Sequence, residues 1–103
     1  MVHNQEVDRI IKRMYEVTRL LSDEISEEAK CESDFRMAIF SEMEEFNYQS
    51  IQQLELYVGQ AHSDLIAKSI MLRASIRKCN LLLEMLRTEL DAKLRLLGTA
   101  NGD

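Results

Sequence analysis

Arg77–Gly98, "RKCNLLLEMLRTELDAKLRLLG", reads as helix throughout, but its leucines outnumber the places on one helical stripe. Leu83, Leu86, Leu90, Leu94 and Leu97 recur at three- and four-residue steps, as in a coiled-coil seam. Leu72, Ile76 and Cys79 carry that seam toward the N-terminus. Leu81, Leu82 and Met85 lie off it and widen the apolar surface. A helix packed on one neighbour needs one stripe, and wide apolar coverage means that it is surrounded. This helix is therefore expected to need more than one neighbour.

The composition around it agrees with an all-α chain. There is no Pro and only three Gly among 103 residues, two of those near the C-terminus (Gly98, Gly102). A sheet protein of this length needs many turns, which draw on Gly, Pro and Asn. The 6 % of aromatics and the absence of Trp leave Leu, Ile and Met to build the core.

Working back along the chain, Val7, Ile10, Ile11, Met14, Val17, Leu21 and Ile25 mark a first helix with a narrow stripe, and Asn4 is placed to cap it. The stripe fades in "SEEAKCESD" (Ser26–Asp34), where Glu27, Glu28 and Glu32 crowd together, so a turn is expected near residues 29–33. Ser33-Asp34 offers a new cap, and Phe35, Ile39, Met43 and Phe46 restart the pattern. Gly59 then suits the left-handed residue that ends a helix, with Ser63-Asp64 capping the next. Helical spacing also runs straight through Gly59, so a continuous helix is the alternative, at about 1 kcal/mol for the Gly.

A fold-back near residue 60 brings residue i opposite about 120 − i. That register sets Ile39 near Leu81, Phe35 near Met85, Leu54 near Ile66 and Phe46 near Ala74. It also sets Glu42, Glu44 and Glu45 beside Arg73, Arg77 and Lys78. The expected architecture is an elongated antiparallel three-helix bundle or helical hairpin with coiled-coil character. It forms a single helical domain over residues 1–98, with helices at about 4–28, 34–58 and 63–97, Gly98 closing the last and a flexible tail at 99–103.

Charge and motif exclude several function classes. The net charge is −5, drawn mainly from residues 31–58, whose six acids face only Arg36. Nucleic-acid binding needs clustered Lys and Arg, and Lys68, Arg73, Arg77 and Lys78 have acids within the chain to meet. No apolar run approaches the roughly 18 residues of a membrane span, so no membrane insertion is expected. The polar N-terminus "MVHNQEVDRI" has no leader character. Cys31 and Cys79, far apart and outside any CxxC spacing, suit a reducing, cytoplasmic compartment. No cofactor is implied. Pairing His62 with either cysteine gives no catalytic pattern. His3, His62, Cys31 and Cys79 lack metal-ligand spacing, and Glu24, Glu27 and Glu28 read as a solvated acidic face without a Glu-x-x-His motif.

What remains is an apolar surplus. Met37, Phe40, Tyr48 and Leu56 lie off the main stripe of the middle segment, and Met71, Leu81 and Met85 off that of the last. The expected function is a non-enzymatic protein–protein interaction subunit, an adaptor-like member of a complex, that oligomerises through its C-terminal helix with itself or with partner helices. The interface residues are Leu81, Leu82, Met85, Leu86, Leu90, Leu94 and Leu97, with Met37 and Phe40, and the partner is expected at the far end of the last helix. The alternative is a small secretion-type chaperone or inhibitory binder that masks a client helix. In composition the chain resembles small coiled-coil subunits of vesicle-adaptor and kinetochore complexes and the small helical chaperones of bacterial secretion systems.

Overall fold

The computed structural model describes residues 4–45 and 50–100, and among these residues it holds three α-helices and no strand: α1 (Gln5–Glu45), α2 (Ile51–Ala61) and α3 (Ser63–Ala100). The readings placed on His3, Phe46, Tyr48 and 101–103 lie outside the described residues. The all-α class holds; the boundaries differ.

Asn4 caps α1 as its sequence position suggests, with Oδ1 accepting the Val7 N–H at 3.1 Å. Glu6 and Asp8 occupy the first turn, where the helix dipole favours acids. The helix then runs for 41 residues without Gly or Pro, straight through the turn expected at 29–33, a length of about 61 Å. The residues of α1 that are not exposed explain why. They are Val7, Ile10, Met14, Val17, Leu21, Glu24, Glu28, Cys31, Phe35, Ala38 and Glu42, an unbroken three-four repeat joined off-beat only by Ile39. Glu24 and Glu28 thus stand where leucines would. The apolar signal is interrupted there, but the helix is not.

The chain forms two compact units. The first, Met1–Asp23 with Ile76–Asp103, pairs the start of α1 with the end of α3. Its seam is mostly apolar: Val7, Ile10, Met14, Val17 and Leu21 from α1, with Ile76, Cys79, Leu83, Leu86, Leu90 and Leu97 from α3, at the same three-four spacing with Lys93 between the last two. Ile10, Val17 and Cys79 are its buried centre.

The second unit, Glu24–Ser75, holds the rest of α1, all of α2 and the start of α3. Its seam is polar near Glu24. The Ser75 hydroxyl donates to Glu24 Oε1 at 2.5 Å. Glu28 Oε1 accepts both the Ser69 hydroxyl at 3.2 Å and the Arg73 Nε–H at 2.9 Å. Lys68 reaches Glu27 at 3.3 Å on the exposed rim. These partners' numbers, like those of Glu6 and Lys93 in the first unit, add to about 99 rather than 120. The antiparallel neighbour of α3 is therefore α1.

That register overturns several expected neighbours. Arg73 meets Glu28, not Glu42, Glu44 or Glu45. Glu42 lies half-buried on the seam, and its Oε2 has no hydrogen-bond partner among the described residues. The segment expected as one helix over 34–58 is divided between α1 and α2. In the same unit Ala38 and Ile39 of α1 are half-buried, and Leu54 and Val58 of α2 are the most enclosed side chains.

The break expected at Gly59 falls at His62. Ser50 opens α2, its hydroxyl accepting the Gln53 N–H at 3.2 Å. His62, with φ −120° and ψ 39°, closes it, its N–H still donating to the Val58 carbonyl. The His62 carbonyl accepts from Leu65 and Ile66 as α3 begins. Gly59 is an ordinary helical residue of α2, and a Cβ built on it would meet only the far end of Ile66, at 3.4 Å. At the other end α3 continues through Gly98 to Ala100, so Gly98 does not end it. Gly59→Ala is expected to stabilise the protein by up to about 1 kcal/mol through helix propensity, raising the thermal midpoint by a few degrees. A left-handed residue ending a helix would give a drop instead.

Candidate partner interface

Once α1 occupies the seam, the apolar residues singled out in α3 fall into two groups. Leu82, Leu86, Leu90 and Leu97 are half-buried on or beside the seam within the first unit. Leu81 and Met85 are not: they remain 58 % and 60 % exposed. Three- and four-residue steps place them with Lys78, Thr88 and Ala92 on the side of α3 turned away from the seam, and all five are exposed. The far end of α3 has α1 beside it, contrary to the expectation that it lacks a neighbour within the chain. What stays open is its outer face.

Leu94 illustrates how leucine spacing alone misplaces a seam residue. It is 49 % exposed, and the seam position beside it belongs to Lys93. The half-buried stem of Lys93 serves the seam, and its ammonium donates to Glu6 Oε2 at 2.7 Å. Leu96, which sequence reasoning did not single out, is 64 % exposed near the end of the outer face. Its signal was present, since it continues the steps from Leu81, Met85 and Ala92, but the leucines around it hide that spacing.

Met37 and Phe40 belong to the second unit and lie exposed on the outer side of α1, beside Ala29 and Ser33. The same unit has a concave site of about 200 Å³ on another side. Cys31, Phe35, Leu65, Ile66 and Ile70 line it with Arg73. It is mostly apolar and is large enough for one bulky side chain.

The residues weighed for catalysis and metal binding are not brought together. Cys31 and Cys79 are buried, lie in different units and form no disulfide; His62 is half-buried at the junction of α2 and α3. Glu24 and Glu28 are engaged by Ser75, Ser69 and Arg73, rather than forming the solvated face expected of them. Among the described residues no group of three or more His, Cys, Asp or Glu could hold a metal ion. No helix among them is long and apolar enough to cross a membrane.

No family model, no curated protein and no solved structure matches the chain.

The Glu6–Lys93 pair links the first unit to pH. The hydrogen bond from Lys93, and then its charge, hold the Glu6 carboxyl below its ordinary value of 4.5. The same bond and charge hold the Lys93 ammonium above its ordinary value of 10.5. A lowered carboxyl contributes stability above its unfolded value and loses it as pH falls through the folded one. A raised ammonium contributes below its unfolded value and loses it as pH rises through the folded one. The stability difference between wild type and Glu6→Gln in thermal melts should therefore hold from pH 5 to 10 and shrink at both ends. A difference that stays flat to pH 3 would show that the pair does not contribute.

Proposed function

We propose that the chain is a non-enzymatic helical interaction subunit that joins partner helices through the face of α3 that α1 leaves uncovered. The observation that carries this reading is Leu81 and Met85, adjacent and more than half exposed on one helix. Single exposed apolar residues are ordinary, whereas aligned ones on an uncovered helix face are the usual form of a helix-binding surface.

Burying one such side chain contributes about 1.5–3 kcal/mol as an upper bound. Losing two should therefore weaken association by up to about a hundred-fold or more. With both Leu81→Gln and Met85→Gln in place, light scattering is expected to give a folded 12.0 kDa monomer of unchanged helicity. The wild type is expected to scatter as a larger assembly or to bind hydrophobic dye. A wild type that is monomeric and binds no such dye would contradict the reading.

The concave site beside Phe35 and Ile70 supports a second reading, a client-masking chaperone or inhibitory binder that takes one bulky side chain of a helix there. Client binding accompanied by a change of oligomeric state distinguishes it from constitutive assembly.

A further inference from the structure

Resting on that reading, we infer that the occupant of the outer face of α3 is a second copy of this chain, docked antiparallel about a twofold axis near Leu83 and Glu84. The argument comes from the order of charges along the face. Arg77 and Lys78 stand at its N-terminal end, both exposed, and neither has an ion-pair partner among the described residues. Acids follow further along, at Glu84, Glu89 and Asp91. Among the described residues Asp91 is held only by Arg95, one turn away, at 3.0 Å and largely in water, so the contact is cheap to exchange.

A parallel second copy would set Arg77 and Lys78 against themselves. An antiparallel copy whose facing residue numbers add to about 167 does the reverse. It sets Arg77 against Asp91 of the second copy and, by symmetry, Asp91 against its Arg77. The same register places Leu81 against Met85 of the second copy twice over, and Lys78 against its Thr88. Each surface thus serves as both donor and acceptor, which is the requirement for a closed dimer rather than a filament. Glu84 falls at the axis beside its own copy, a repulsion that the dimer must absorb. From Arg77 to Asp91 the contact spans about 15 residues, or about 22 Å of helix, which lies at the small end of specific interfaces.

Sedimentation equilibrium on the full chain at low salt tests this, with circular dichroism to confirm that each variant remains helical. Arg77→Asp and Asp91→Arg are each expected to weaken dimerisation about five-fold or more, and the double variant to return it to within about two-fold of wild type. Glu84→Gln is expected to tighten it. A wild type that stays monomeric to millimolar concentration overturns the inference. So does a dimer indifferent to the swaps, or one that the double variant fails to restore. If either of the last two dimers is still lost on Leu81→Gln with Met85→Gln, the interaction face stands and only the antiparallel copy falls.

Discussion

Glu28 on α1, held by Ser69 and Arg73 of α3, is the contact on which the arrangement of the helices depends. Together with Glu24 and Ser75 it forms a polar layer inside an otherwise leucine-rich seam. Leucines at these places would each contribute about 1.5–3 kcal/mol of burial. The acids give up that gain, and their hydrogen bonds return only part of it because Arg73 is mostly in water. Register is what they secure. An apolar seam that repeats every seven residues tolerates a slip of seven. Such a slip would set Ile76 and Asn80 against Glu28 in place of Ser69 and Arg73, exchanging a hydroxyl and an ion pair for an apolar side chain and a neutral amide. One polar layer in a seam specifies alignment at a cost in stability.

The remainder of the structure is lightly built. Few side chains are fully enclosed: Ile10, Val17 and Cys79 in one unit, Cys31, Leu54 and Val58 in the other. Two helices can bury only the facing stripe of each, so apolar residues on the outer sides stay wet unless something else covers them. Met37 with Phe40 on α1, and Leu81 with Met85 on α3, are two pairs of this kind. The exposure of the second pair follows from the pairing of α1 with α3, because the register that encloses Leu83 and Leu86 turns Leu81 and Met85 outward.

The helical class and the seam of α3 were legible from spacing, since burial imposes a three-four repeat on leucine. The Asn4 cap was legible from residue type. The register was not, and for a physical reason: "SEEAKCESD" looks like a turn if only apolar residues are counted as seam. Glu24 and Glu28 hold seam positions through hydrogen bonds from residues more than 40 places away, and that pairing leaves no local trace. Gly59 misled in the opposite sense, being the chain's one interior glycine yet part of a helix that is capped three residues later by His62, which was weighed only as a ligand or base. Of the nine residues named for the interface, four line or flank the seam with α1, because stripe residues look alike whether their neighbour is in the same chain or another.

The distance between spin labels at residues 22 and 77 tests the register most directly. Both positions are exposed in the first unit, and Cys31 and Cys79 would be replaced to leave only the two labels. Labelled protein is diluted with unlabelled to remove distances between copies. Their numbers add to about 99, so the labels should lie across adjacent helices whose axes are about 8–10 Å apart, giving one short distance set by that spacing and the label arms. A hairpin turning near residue 60 would place residue 22 opposite about residue 98. The separation from residue 77 would then exceed about 30 Å, and that result would contradict the account.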